Sequence, residues 1–353
     1  MDAPDTRSAK VLYSNFIKYE ALDKYIKGYF FNMIPLKSDI VNVYIDVYQM
    51  LTYLYRADYI EDPINIASCV INHAIHYRNY FKKYCGKYAN VFLVYSPASI
   101  THCLKFCPQW NCTNIYREEK KSVITEQIRQ ALDLVKIIAP YLPDIYFKMG
   151  TFEVPVIISD MINKFSAKGM VVPNLVISQS QYAFQIPAYI PNTCLIYSKQ
   201  HNKSDTSEVS VGDDCVRHYI NQVKLMKNLS PDINKQFMTL VMICIGIPKR
   251  DIDSLFTYTK TLKAIEYLTS NYKIPTVDEL IDAVLALSNN MICDSESIGR
   301  RYSCIDMTYQ LQLYNTMPES KEFSYLSQLQ DIKALYDIND KYFKDNPITI
   351  NML

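Results

Sequence analysis

Apolar runs and amphipathic segments alternate along the first 200 positions of the chain. The runs are β-branched and almost uncharged, as in "VNVYID" at 41–46 and "NVFLVYS" at 90–96, and they predict buried strands. The predicted strands are 41–46, 90–95, 144–148, 173–178 and 194–198. Segments at 63–85, 118–138 and 151–165 carry apolar residues at helical spacing and predict helices. Strands that are apolar throughout are covered on both faces, so this order indicates an α/β fold with one mainly parallel sheet and helices on both faces.

A polar stretch at 200–214 ends this alternation, and we interpret it as a loop at a domain boundary. Helical periodicity follows at 215–228, 231–246, 249–270, 276–288 and 318–343, with Thr276 and Glu279 spaced as a capping box. An amphipathic segment at 8–33 precedes the first strand. The chain therefore divides into an N-terminal helical extension (1–39), an α/β domain (40–200), a helical module (213–270) and a C-terminal helical region (271–353).

Composition excludes several classes of protein. The chain has only 7 glycines in 353 residues, and no two are spaced to form a phosphate-binding loop or a dinucleotide fingerprint, so we expect no nucleotide cofactor. A formal net charge of +1 argues against a protein whose main role is to grip phosphates. The first residues lack the pattern of a signal peptide, and the longest apolar run, at 237–247, is too short to span a membrane. The ten cysteines are expected to be reduced core thiols.

Three short motifs follow predicted strands or precede predicted helices. They are "YIDVYQML" with Asp46, "GTFEVP" with Gly150 and Glu153, and "ISQSQYAFQI" with Ser178 and Gln185. In order and spacing they resemble the flap-endonuclease (5′ nuclease) branch of the PIN-like nucleases. The resemblance extends over about 40–268, and it implies a helix-hairpin-helix-like module with Gly246 and Pro248 in the hairpin and Ala264 in the next helix.

The resemblance implies a nuclease centre, but most of its acids are missing. Such enzymes hold two divalent ions with a cluster of carboxylates. Acids of the family pattern are replaced here by Pro155, Ser180 and Tyr182. The acids that remain are Asp46, Glu153 and Asp160, and capping or helix-dipole roles account for the first two without catalysis. We therefore expect a vestigial centre with no catalytic residues, no bound metal and no other cofactor.

Two further groups of residues have a possible ligand-binding role. "THCLKFCPQWNC" contains four potential zinc ligands, His102, Cys103, Cys107 and Cys112, but the spacing is unlike known zinc knuckles and favours packed thiols. In the resembled family this region is a helical arch that contacts the 5′ flap, a role that would fall to Lys105, Arg117, Lys120 and Lys121. His73 and His76 could share a ligand, although one polar face of a half-buried helix accounts for them more simply.

The leading functional hypothesis is a catalytically inactive 5′-nuclease-like fold that serves as a structural or assembly protein, as in the particle of a phage or another virus. The missing acids, the near-neutral charge and the 30 tyrosines favour contacts with other protein chains. The contact surfaces would be the N-terminal and C-terminal helices, with Tyr13, Tyr19, Tyr25, Tyr325, Tyr336 and Tyr342. The protein would be located in the cytoplasm or the virion, not secreted through a signal peptide and not in a membrane.

Two alternatives remain open. The first is a non-cleaving DNA-binding protein that uses the helix-hairpin-helix-like module. Its basic strip would consist of Lys249, Arg250, Lys260 and Lys263. The second is an active Mg²⁺- or Mn²⁺-dependent nuclease with an unusual acid cluster. That cluster would consist of Asp46, Glu153, Asp160 and either Asp213 or Asp214.

Overall fold

The structure is a computed structural model of the whole chain. It describes residues 38–47, 62–96, 116–150, 152–178, 180–199, 206–211, 235–247, 254–271, 276–288, 295–317, 332–344 and 348. The helices predicted at 8–33 and 215–228 lie outside these described residues.

Within these ranges, six strands form one sheet in the order β3-β2-β1-β4-β5-β6. The strands are β1 Ile40–Asp46, β2 Tyr88–Tyr95, β3 Ile145–Met149, β4 Asn174–Ser178, β5 Thr193–Lys199 and β6 Thr206–Val211. β1 to β5 run parallel to one another, and β6 pairs antiparallel with β5. The predicted parallel sheet of five strands is confirmed.

Ten α-helices lie within the described residues. They are α1 Pro63–Cys85, α2 Tyr116–Ile138, α3 Val154–Ala167, α4 Gln185–Tyr189, α5 Lys235–Ile245, α6 Tyr258–Asn271, α7 Val277–Ser288, α8 Ser295–Ile305, α9 Met307–Asn315 and α10 Ile332–Tyr342. The described part of the chain also contains two 3₁₀ turns, at Ala139–Tyr141 and Gln181–Phe184. None of the helices in the described part of the chain is long and apolar enough to cross a membrane.

Local signals determine where these helices begin and end. α1 begins after Asp62, whose side chain accepts a hydrogen bond from the Ile64 N–H at 3.0 Å, and it ends at Gly86, which has a left-handed φ of 63°. The predicted capping box precedes α7. The Thr276 N–H donates to Glu279 Oε2 at 2.6 Å, and the Glu279 N–H donates to Thr276 Oγ1 at 3.3 Å.

The two faces of the sheet support two cores. Alternate residues of β1 point to opposite faces, so Val43 and Ile45 lie in a core with α1 and α2. Tyr44 lies in the other core, which also contains residues of α3 and of α5 to α9. Helices cover both faces, which is why the strands are apolar along their whole length. Of the helices that follow the sheet, α5 to α9 share the second core with it, whereas α10 packs on the first core.

Two sequence predictions differ from the structure. The stretch at 200–214, interpreted as a loop, contains β6, whose "TSEVSV" pairs with the outer edge of β5. An edge strand tolerates polar residues that a central strand does not, so its pattern resembles a loop. The helix predicted at 249–270 begins later, because residues 254–257 are not helical and the Lys260 N–H donates to Thr257 Oγ1 at 3.4 Å as the helix starts.

Candidate site at the carboxyl edge of the sheet

Strand register places five side chains in one row across the carboxyl edge of the sheet. Asp46 pairs with Val94, and Val94 pairs with Lys148. On the other side, the pairing of β1 with β4 continues from Ile45 and Ile177 towards Asp46 and Ser178, and Ser178 pairs with Tyr197. We call Lys148, Val94, Asp46, Ser178 and Tyr197 the carboxyl row. Side-chain alternation points all five towards the face that α3 covers.

Asp46 and Ser178 meet in the middle of this row. Ser178 Oγ donates a hydrogen bond to Asp46 Oδ2 at 2.8 Å. The Ser180 N–H donates to Ser178 Oγ at 3.0 Å. Asp46 is only 4% exposed, so this hydrogen bond offsets part of the cost of burying a carboxylate. The structure therefore brings together two of the residues that the motifs singled out. Ser178 fixes the position of the Asp46 carboxylate through its hydrogen bond.

Gly150 and Glu153 set the entry into α3. The Gly150 N–H donates to the Tyr95 carbonyl at 3.0 Å, which ties the end of β3 to the end of β2. A Cβ at Gly150 would lie 2.5 Å from Ile157 Cδ1, so a larger residue there would force the Ile157 side chain to move. Glu153 precedes α3, and its carbonyl, not its side chain, accepts the first helical hydrogen bonds from Val156 and Ile157 at 3.0 Å.

Asp160 lies further along α3 and is paired with a lysine. Lys164 Nζ is 2.7 Å from Asp160 Oδ2, and the residue is 4% exposed. Burial raises the pKa of Asp160, while the hydrogen bond and charge of Lys164 and the charge of Lys148 act in the opposite direction. Two ammonium groups therefore act on the Asp160 carboxylate.

Neither lysine was singled out from the sequence. The signal for Lys164 was its spacing of four residues from Asp160 on a predicted helix. Lys148 stands in a predicted strand next to apolar positions, where a lysine usually indicates an exposed edge. Its place beside the acids became visible only through the register of three strands.

Three family positions hold residues that are not acids and have other structural roles. Pro155 occupies the first turn of α3, where proline is well tolerated, and its carbonyl accepts a hydrogen bond from Ser159 Oγ at 2.8 Å. Ser180 precedes the 3₁₀ turn. Tyr182 is fully buried in that turn, so its ring is part of the core and not a substitute ligand.

The donor set does not fit the pair of divalent ions that the fold family implies. Hard cations need several anionic oxygens, whereas here Asp46 accepts from Ser178 and Asp160 is paired with an ammonium group. Within the described ranges, no three His, Cys, Asp or Glu side chains form a group that could hold a metal. Asp213 and Asp214 lie outside the described residues.

The segment predicted to form a helix-hairpin-helix-like module contains α5 and α6. Gly246 ends α5 with a left-handed φ of 71°. The Leu255 and Phe256 N–H groups both donate to the Cys244 carbonyl, at 2.8 and 2.9 Å, which closes the hairpin. Lys260 and Lys263 are exposed on α6, and Ala264 is buried. Pro248, Lys249 and Arg250 lie outside the described residues.

The remaining candidates have different outcomes. His73 is 2% exposed and lies edge-on to Tyr77, with ring centroids 4.8 Å apart, so it is a core residue and not part of a polar helix face. Burial lowers the pKa of His73 to about 3, with a further contribution from His76, and lowers that of His76 to about 4. The possible zinc ligands and Lys105 lie outside the described residues, and so do the side chains of Arg117, Lys120 and Lys121.

The tyrosines predicted to contact partners are only partly described. On α10, Tyr336 is 45% exposed, whereas Tyr342 is partly buried against the first core. Leu335 and Phe343 belong to that core, so α10 packs back on its own chain. The predicted positions Tyr13, Tyr19, Tyr25 and Tyr325 lie outside the described residues.

Sequence comparison finds no match, whereas structure comparison finds nucleases. No protein-family model and no curated protein matches the chain. The chain is similar to the flap endonuclease of bacteriophage T5, solved as a pseudo-enzyme–product complex with DNA and metal ions. The TM-score is 0.52 at 12% identity, and the match covers 84% of this chain and 98% of that one.

Two further matches are weaker. A structure of the same T5 protein co-crystallised with metal ions has a TM-score of 0.48 at 11% identity, covering 86% of this chain and 97% of that one. Human GEN1 in complex with Holliday junction DNA has a TM-score of 0.45 at 9% identity, covering 86% and 68%. The likeness to the phage T5 enzyme shows the fold: the chain has the α/β fold of the PIN-like 5′ nucleases, as its motifs predicted.

Proposed function

We propose that the chain is a catalytically inactive protein with a 5′-nuclease fold, which acts as a structural or assembly protein. The observation that carries this proposal is the chemistry of the carboxyl edge. Lys164 pairs with Asp160 at 2.7 Å, the charge of Lys148 also acts on that carboxylate, and Asp46 accepts a hydrogen bond from Ser178. The Ser178 hydroxyl and the Lys164 ammonium group therefore occupy the positions next to these acids that a metal ion would otherwise take.

Hydrolysis of a phosphodiester by this type of centre depends on two ions that activate water and stabilise the leaving oxygen. The positively charged lysines that act on Asp160 oppose the binding of a divalent cation there. Neutral Ser180 and buried Tyr182 offer no anionic oxygen in place of the missing acids. The centre is therefore a poor ligand set for the chemistry that its fold usually performs.

A cleavage assay tests the inactivity. The full chain is incubated with 5′-flap and single-stranded DNA in the presence of Mg²⁺ or Mn²⁺, next to the variant Asp46→Ala. We expect both proteins to leave the substrates intact. Metal-dependent cleavage that disappears in Asp46→Ala would overturn the proposal and favour an active nuclease whose acids include Asp213 or Asp214.

The assembly role is supported by the surface. The net charge is +1, and several tyrosines are about half exposed, namely Tyr84, Tyr88, Tyr267, Tyr309 and Tyr336. Exposed tyrosines suit contacts with other protein chains, such as those of a phage or other viral particle. Light scattering after size exclusion tests this role directly. Self-assembly, or co-purification in a defined complex, is expected, whereas a strict monomer without protein partners contradicts it.

A second candidate function is DNA binding without cleavage through α5 and α6. Lys260, Lys263 and Tyr267 recur at positions i, i+3 and i+7 of α6, which places them on one helical face, and all three are exposed. If this face contacts duplex DNA, replacing both lysines with Gln should reduce the salt slope of binding by about 1.8, since each phosphate contact contributes about 0.9. Lys333→Gln, at an exposed position of α10, is the matched control.

A further inference from the structure

An apolar patch lies at the amino edge of the sheet, on the side of the second core. Four side chains form it, and we call them the amino-edge patch: Ile40 (42% exposed), Tyr88 (63%), Met170 (46%) and Val171 (48%). The described residues contain ten exposed large apolar side chains, so nearly half of them lie at this one place. Exposed apolar residues that cluster in this way mark a contact surface, whereas single ones do not.

Strand register and the path of α3 put the patch residues on one side of the sheet. Ile40 pairs with Tyr88 at the first positions of β1 and β2. Each is an even number of residues from a side chain of the second core, Tyr44 in β1 and Phe92 in β2, so both point to that side. α3 covers the same side, and Phe165 near its end lies against Phe92, with ring centroids 5.6 Å apart. The connection from α3 to β4 therefore brings the other two patch residues to this corner.

Backbone hydrogen bonds hold this corner together. The Asn42 N–H donates to the Pro173 carbonyl at 3.0 Å, which places the residues just before β4 next to Ile40. The Met170 N–H donates to the Phe165 carbonyl at 3.0 Å, which ties the connection to the end of α3. The backbone beneath the patch is therefore already fixed, and this lowers the entropy cost of covering it.

The chain that precedes β1 is attached beside the patch. The Tyr88 N–H donates to the Asp39 carbonyl at 2.8 Å. Lys87 Nζ donates to the Ser38 carbonyl. The two residues before β1 are therefore held against the start of β2, and the rest of the N-terminal extension is joined to the sheet at this point.

The N-terminal extension supplies an occupant of matching chemistry. Residues 1–37 lie outside the described residues, but their sequence predicts an amphipathic helix at 8–33. Only residues 34–37 join that helix to Ser38, and four residues span at most about 14 Å. The end of such a helix is therefore within reach of the patch.

The dimensions of the helix and the patch agree. The patch crosses from β2 to β4, which is about 10 Å at the ordinary spacing of strands. Leu22, Ile26 and Phe30 follow one another at intervals of four residues, so they share one side of a helix. Eight residues of helix rise about 12 Å, so these three side chains can cover the patch from end to end.

We propose that the amino-edge patch is the docking site of the chain's own segment 8–33, whose apolar side lies on it through Leu22, Ile26 and Phe30. The contact is intramolecular and hydrophobic, and it removes apolar surface of both partners from water. The assembly role proposed above is also supported by exposed tyrosines outside this patch, so the two proposals can fail separately.

Hydrogen–deuterium exchange of the full chain, measured by mass spectrometry, tests the contact. An isolated helix is marginal in water, so slow exchange of the amides of 8–33 in the wild type is expected only if the segment is docked. The patch variant Tyr88→Ser, Met170→Ser should speed this exchange about tenfold. The segment variant Ile26→Ser, Phe30→Ser should have the same effect. It leaves every described residue unchanged, so it stays informative if the patch variant does not fold.

A combined variant and a matched control separate direct contact from other effects. If the patch and the segment touch, all four substitutions together should speed the exchange no more than either pair alone. Tyr309→Ser with Tyr336→Ser removes two rings of similar exposure, 44% and 45%, on α9 and α10, and should leave the exchange of 8–33 unchanged. Circular dichroism checks that the variants fold.

Four results would overturn the proposal. They are fast exchange of 8–33 in the wild type, unchanged exchange in the patch variant, effects of the two pairs that multiply, and protection that is lost on dilution. The last result would identify a second copy of the chain as the occupant. The nuclease assay is independent of all these outcomes.

Discussion

Acid should unfold this protein through its two buried histidines. Burial lowers the pKa of His73 to about 3 and that of His76 to about 4, whereas a histidine in an unfolded chain titrates near 6.5. Their contribution to stability is therefore fully present above pH 6.5 and is lost as the pH falls towards the native values, because the unfolded state binds protons first. Lowering the pH from 7 to 5 should therefore reduce the free energy of unfolding by about 2 kcal/mol for each histidine, or about 4 kcal/mol for the pair.

This magnitude depends little on the native pKa values, since both lie below pH 5. Urea unfolding at pH 7 and pH 5 measures it, with the double variant His73→Gln, His76→Gln as the comparison. The variant keeps His102, His201 and His218, so the difference between the two pH dependences isolates the buried pair. Equal losses of unfolding free energy in the wild type and the variant would refute the reasoning, whatever their absolute stabilities.

Three further predictions concern residues around the carboxyl edge. Gly150→Ala should lower the free energy of unfolding by about 1–3 kcal/mol in urea titrations, because the new Cβ would meet Ile157 Cδ1 at 2.5 Å. Gln185→Leu should cost about 3 kcal/mol in the same assay, because the buried Gln185 side chain donates to the Ile305 carbonyl at 2.8 Å and accepts from the Met307 N–H at 3.0 Å. Burial raises the pKa of Asp160. The free energy of unfolding that Asp160 contributes is therefore fully present below about pH 3.8 and is lost as the pH rises through its native pKa. As the pH falls from 7 to 4, the wild type should therefore gain stability that Asp160→Asn does not gain, so the melting temperature of the variant should fall behind that of the wild type. A constant difference between the two melting temperatures would contradict this.

The sheet was predictable because its central strands are buried on both faces. Continuous β-branched runs such as Ile40–Asp46 are too short for a buried helix and too apolar for a surface loop. The five parallel strands were accordingly predicted to within two residues at each end. The edge strand Thr206–Val211 was missed for the opposite reason. Among the described residues it pairs only with β5, at the edge of the sheet, so it tolerates the polar residues that make it resemble a loop.

The acids of the site were predictable, but their partners were not. Asp46 and Ser178 could be identified because they end strands, and parallel strands end at one edge. The partners depend on register, which the sequence does not reveal. The same holds for a row of asparagines near the amino edge, where the buried Asn42 pairs with the partly buried Asn90 on one side and the buried Asn174 on the other. Asn90 Nδ2 donates to Asn42 Oδ1 at 3.1 Å.

The partners of the acids bear directly on the proposed loss of nuclease activity. A buried carboxylate needs compensation, and in metal-dependent nucleases the cations supply it. Here Ser178 supplies a hydrogen bond to Asp46, and Lys164 supplies a positive charge to Asp160. Returning an acid at Ser180 alone would add a negative charge and leave the ammonium groups of Lys148 and Lys164 in place. Those groups would compete with the incoming cation, so under the proposed function we expect cleavage only after the lysines are replaced and acids are introduced.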